Sequence, residues 1–118
     1  MTSVLVLIHG AIHLQQYVAG FSQIPIVGEL FLVNAVVSVA VATLLLTRKP
    51  LGVAGAVLLS AGSLAAFAMA RTIGLFGYAS TTFGASELIA VLAEVGTLVV
   101  LLVAYVRSSR SLLTFATA

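Results

Sequence analysis

Apolar residues occupy this chain in four long stretches, separated by short polar or turn-forming segments. Crossing the hydrocarbon of a bilayer takes about 20 mostly apolar residues at about 1.5 Å of rise each. Stretches at 3–21, 26–47, 51–76 and 85–106 meet that length. The pattern predicts an all-α, integral membrane four-helix bundle forming a single membrane domain over 1–118, with a short tail at 107–118. Pro25 and Pro50 stand where the second and third helices begin, the position at which a missing N–H does least harm. The connections are then short segments at 22–25 and 48–50 and a longer loop at 77–84. The first stretch is the most polar, carrying His9, His13, Gln15 and Gln16. It lacks the basic leader region of a secretory signal and reads as a mature helix.

Composition sharpens this picture by exclusion. Of the 118 residues 62% are hydrophobic and only 7% charged, whereas a soluble domain is roughly a quarter charged. A water-facing surface cannot be built from such a chain. With no cysteine there is no disulfide, thiolate metal site or redox thiol pair. The basic residues are few and scattered, which excludes a nucleic-acid-binding face. Four of the five set an orientation: Arg48 and Lys49 join the second and third helices, and Arg107 and Arg110 follow the fourth. Cytoplasmic loops collect Lys and Arg, so both termini are expected in the cytoplasm of a multi-pass protein of the cell (inner or plasma) membrane. Tyr17, Phe21, Phe76, Tyr78 and Phe83 then mark the outer interface, and Tyr105 the inner one. The tail either lies on the inner interface through Leu112, Leu113 and Phe115 or is loose.

Small residues recur along the third helix as two rows, Gly52–Ala56–Ser60, with Gly55 beside it, and Gly62–Ala66–Ala70–Gly74. Such rows let helix backbones approach closely in lipid. They predict packing within the bundle or, on the alternative, a seam between two copies.

With the topology set, the buried polar residues fall into layers. His9 lies near mid-membrane and His13 about 6 Å further out. Glu29 and Glu87 start the second and fourth helices from outside, Arg71 stands near the outer end of the third, and Asn34 and Glu94 lie deeper. His9, His13 and Gln16 share one stripe of their helix, and Glu87, Glu94 and Thr97 share another. Glu29 and Asn34 differ by about 140° around their helix and cannot both face inward. Asn34 aligns instead with Ser38, a pair suited to an interhelical hydrogen bond away from the cluster.

An ionised side chain in hydrocarbon costs about 2.5–3.5 kcal/mol, so these groups require partners. One reading is a purely structural network, with Arg71 held by Glu87 or Glu29 and the histidines by Glu94, Gln16 or backbone. A sharper one is a metal site. His9 and His13, one turn apart, can present two imidazoles to one ion, with Glu94 as third ligand and Glu87 or Glu29 as fourth. The only sulfur atoms are those of Met1 and Met69, so the set suits Zn, Cu(II) or Fe. A haem on His9 or His13 fits less well, because both lie on one face of one helix. A third reading makes Glu94 and the histidines a proton relay in a small oligomeric transporter. Small multidrug resistance transporters carry their essential glutamate in the first helix, where this chain has none.

The strings His13-Leu14, Gly28-Glu29-Leu30-Phe31-Leu32 and Ala70-Arg71-Thr72-Ile73-Gly74-Leu75, followed by Glu87 and Glu94, resemble those of small four-transmembrane-helix proteins of actinobacterial type. Members of that family usually continue the Arg-Thr-x-Gly-Leu string with proline, where this chain has Phe76. The resemblance implies an architecture and groups His13, Arg71 and Glu94 in one site; it carries no reaction. Short loops and the lack of any nucleophile–base pair or phosphate-binding loop point away from a catalytic activity of the chain's own. The function expected first is a small accessory subunit of a larger membrane complex, respiratory or redox, or one that associates with itself. A metal- or haem-binding membrane protein is the alternative.

Overall fold

The computed structural model describes residues 2–81 and 83–117, with side chains described as far as Ser108. Four helices follow in order: α1 Thr2–Ala19, α2 Val27–Leu46, α3 Pro50–Thr72 and α4 Ala85–Thr117, with a short 3-10 turn at Phe21–Gln23. Short connections make consecutive helices antiparallel neighbours. α1 packs on α2 and α4, and α3 closes the ring against the same two helices, so α1 and α3 face each other diagonally.

The interior is assembled from small and polar side chains. Val6, Ala35, Val41, Ala42, Ala56, Ala90 and Ala93 are buried together with His9, His13, Gln16, Ser38, Ser60, Glu94 and Thr97. Large aliphatic side chains turn outward: Val18 is 75% exposed, Leu58 73% and Leu102 61%. In water such a surface would aggregate; in lipid it is the solvated one, and close packing of small residues holds the helices. Val27–Leu46, Pro50–Thr72 and Ala85–Ser108 are each long and apolar enough to cross a membrane, which marks a membrane protein. α1 is a helix of the same bundle, made more polar by the stripe it turns inward.

The two ends of the bundle are built differently. At the end holding the α2–α3 turn, Val6, Val41, Ala42 and Ala56 form an apolar cluster covered by Leu45, Leu59 and Leu101. Arg48 takes a left-handed φ of 58°, Lys49 N–H reaches back to the Leu44 carbonyl at 2.9 Å, and Pro50 opens α3. The helices are pressed together here. A Cβ on Gly52 would stand 2.8 Å from the Leu45 backbone nitrogen, and one on Gly55 2.9 Å from Val41 Cγ2.

At the opposite end, several elements depart from the predicted limits. α3 stops at Thr72 rather than continuing to Phe76. Gly74, with φ of 88°, sends its N–H back to the Met69 carbonyl at 2.7 Å, a left-handed helix end that suits glycine. Gly74 therefore terminates the helix instead of extending its packing row. Phe76 and Gly77 follow with φ of 49° and 83°, between Leu75 and Tyr78, whose backbones exchange hydrogen bonds of 2.8 and 2.9 Å. This is the two-residue turn that right-twisted chains prefer. Ser80 N–H then bonds the Ala70 carbonyl at 2.8 Å, folding the loop over the end of α3.

α2 begins at Val27, after a tight turn around Ile26 (φ 67°, ψ −54°), so Pro25 lies just outside the helix. α4 continues through the segment expected as a tail, to Thr117. The interface contacts expected of Leu112, Leu113 and Phe115, and any role of Met1, lie outside the described residues.

Candidate metal centre

His9 and His13 stand one turn apart on the buried face of α1, their ring centroids 4.3 Å apart. Gly10 explains why this face meets α2 so closely. A Cβ there would fall 2.5 Å from Ser38 Cβ, so α1 lies directly on the Ser38 turn. Asn34, one turn along α2, is thereby brought against the histidines.

The hydrogen bonds fix which nitrogen carries each proton. Asn34 Nδ2 donates to Ser63 Oγ at 2.8 Å, which turns its Oδ1, a pure acceptor, toward His9 Nε2 at 2.6 Å. His9 Nε2 must therefore carry a proton, and in the neutral ring Nδ1 is left with the lone pair. His13 Nδ1 donates to the His9 carbonyl oxygen at 2.9 Å, leaving the lone pair of its Nε2. Such outer bonds, one per imidazole, are how metal-binding histidines are commonly oriented.

Glu94 completes the cluster from α4. Its Oε1 lies 2.9 Å from His9 Nδ1, with the two side chains only 3% and 2% exposed. The contact lacks the alignment of a hydrogen bond, and His9 Nδ1 has no hydrogen-bond partner among the described residues. His9 Nδ1 and the Glu94 carboxylate thus face each other in a buried space, where either a proton or a metal ion held by both groups would satisfy them. One ligand atom from each of His9, His13 and Glu94 lies within 4.8 Å of the other two. Donors around a tetrahedral ion at about 2.0–2.1 Å stand roughly 3.3 Å apart, within reach of small side-chain rotations.

The remaining expected site residues lie elsewhere. Glu29 is exposed in the first turn of α2; the rotation that carries Asn34 inward carries Glu29 out. Glu87 is half-buried, and its Oε2 accepts the Gly84 N–H at 2.8 Å, capping the start of α4 as a glutamate three residues into a helix often does. Arg71 sits with its guanidinium 5.6 Å from the ring centroids of both Phe67 and Phe83, a favourable cation–π position. Gly62 faces outward with nothing within 4 Å of an added Cβ, and so does not pack inside the bundle. Asn34, expected outside the cluster, belongs at its centre. Its Ser38 partner bonds the Asn34 carbonyl at 2.7 Å within the same helix and does not reach across. Ser63 joins the network unheralded by the sequence, since a lone serine among small residues gives no signal.

Above the cluster a cavity of about 120 Å³ runs to the bundle end opposite the α2–α3 turn, with His13, Asn34, Ser63 and Glu94 at its floor. The fold and site together define a membrane-embedded helical bundle with a His–His–carboxylate cluster in its core. No protein-family model, curated protein or solved structure gives a significant match to the chain.

Proposed function

We propose that this chain is a four-span membrane protein, both termini in the cytoplasm, that holds one transition-metal ion on His9, His13 and Glu94. The observation that carries the reading is the confrontation of His9 Nδ1 with the Glu94 carboxylate at 2.9 Å, Nε2 being committed to Asn34. An ion coordinated by both atoms, which need only part from 2.9 Å to roughly 3.3 Å, would satisfy both lone pairs and offset the expense of a carboxylate at mid-membrane. Two imidazoles and a carboxylate suit Zn, Cu(II) or Fe(II), and leave a position open toward the cavity. Haem fits poorly: the histidines lie one turn apart on one face of one helix, their rings 4.3 Å apart, and the cavity of about 120 Å³ cannot enclose a macrocycle. A proton shared by His9 and Glu94 is the competing occupant, and would favour the relay reading. Metal analysis of protein purified in detergent, with Co(II) titration read by its visible spectrum, separates the two. One equivalent of metal, lost in His9→Ala, His13→Ala and Glu94→Gln, is expected; titration no different from that of the triple variant overturns the proposal.

A second reading rests on a separate feature. α3 turns Ala54, Ala61, Gly62, Ala65 and Ala68 outward, a smooth strip on which another membrane helix can lie closely. This supports an accessory subunit of a larger membrane assembly, or self-association. Native purification in mild detergent tests it: a stoichiometric partner or a dimer, weakened by Gly62→Leu, is expected, and a chain migrating alone as a monomer refutes it.

A further inference from the structure

The cavity above the metal centre exists because its walls are small where bundle interiors are usually filled. Ala66 and Ala70 of α3 and Ala90 of α4 line it, and a leucine at any of them would occupy the space. The second small-residue row therefore leaves room inside the bundle, where the first, around Gly52, lets α3 press onto α2.

The side of the cavity nearest α1 and α2 is a continuous run of rings. His13 and Phe31 are 4.9 Å apart, Phe31 and Phe21 stack at 4.4 Å and 10°, and Tyr78 meets Phe21 edge-on at 5.4 Å. Polar groups are confined to the two ends. At the floor, Asn34 and Ser63 are already engaged with His9, so Glu94 and His13 are the groups left to meet a ligand. At the mouth, Gln16, Phe21, Tyr78 and Glu87 also line a second cleft between the end of α1 and the start of α4, which gives a route in from the outer surface.

We propose that this cavity binds an uncharged single-ring phenol or hydroquinone, with its ring against the aromatic wall and its hydroxyl on Glu94 and the metal. An apolar cavity of about 150 Å³ takes up a benzene ring, and the volume here is close to that. Planar rings pack favourably on such a wall in offset or edge-on geometry. The hydroxyl is the head group that fits the floor, because it can donate to a carboxylate or ligate a metal, whereas a carboxylate ligand would meet Glu94 as a like charge. The metal's part in this rests on the proposed function; the ring and the Glu94 hydrogen bond do not.

Fluorine NMR of 4-fluorophenol and of fluorobenzene added to the detergent-solubilised protein tests this. Saturable binding of the phenol, about tenfold or more tighter than fluorobenzene, is expected from a hydrogen bond to a charged acceptor. Glu94→Gln should largely erase the preference. Ala66→Leu and Ala70→Leu should abolish binding of both probes while Co(II) titration, which also reports a folded core, stays as in the parent. Equal binding of the two probes overturns the proposal, as does parent-like binding in both filled variants. A chain that titrates Co(II) but shows no saturable phenol loses this inference alone; selective phenol binding without metal removes the metal reading alone.

Discussion

The two ends of the bundle use the same small residues to opposite effect. Around the α2–α3 turn, Gly52, Gly55 and Ala56 bring two backbones into contact and are sealed by Val6, Val41 and Leu45. Toward the other end, Ala66, Ala70 and Ala90 leave a cavity roofed by loops. Connection length decides the difference. A turn that passes directly from Leu46 to Pro50 pins α3 against α2, whereas the segment between Thr72 and Ala85 lets α3 and α4 stand apart. One end supplies close packing, and the other can afford polar groups and space.

The largest effect should come from making the same substitution at both ends. Ala56 is fully buried, so Ala56→Leu forces the sealed cluster apart and should destabilise by about 3 kcal/mol. Ala66→Leu fills existing space and should cost less than about 1 kcal/mol. Unfolding in mixed detergent followed by helical circular dichroism measures both; equal losses would show that the two ends are packed alike.

This contrast also marks where sequence reasoning stops. The four helices in their order, the Pro50 start and the inward stripe of His9, His13 and Gln16 follow from periodicity, because each depends on one helix alone. The ends of α3 and α4 depart from it, α3 stopping at Thr72 ahead of Gly74 and α4 continuing to Thr117. Counting residues along antiparallel helices also brings Glu94 to the depth of His9, and the structure places them in contact. What cannot be counted is the rotation of α2. Glu29 and Asn34 compete for the interior, and the outcome is set by Gly10 pressing on Ser38, a contact between helices that no single-helix pattern contains. The fates of Gly62, turned to the outside, and Gly74, spent on ending α3, depend likewise on where neighbours stand.

Asn34 is the next lever, because it links the proposed metal centre to the packing beneath. Asn34→Ala removes the acceptor that holds His9 Nε2–H and frees the ring to choose the other tautomer. Metal affinity should fall about 10- to 100-fold, the usual effect of losing an outer hydrogen bond to a ligand histidine. Competition titration with a chromophoric chelator reads this. Unchanged affinity would mean that His9 is oriented by packing alone.

Smaller effects are expected from the acidic residues of the open end, and they define the limit of the site. Glu87 accepts the Gly84 N–H at 2.8 Å at the positive end of the α4 dipole. Glu87→Ala should therefore lower stability by about 0.5–1 kcal/mol and leave metal stoichiometry and affinity as in the parent. Glu29→Ala, exposed in the first turn of α2, should change stability by less than about 0.5 kcal/mol and the metal not at all. The informative result is the converse one. If Glu87→Ala weakened metal binding as deeply as Glu94→Gln, its carboxylate would have to leave Gly84 and swing down the cavity as a fourth ligand. The mouth and the metal centre would then be a single site, and the open end would close around its ion instead of remaining accessible to a ligand.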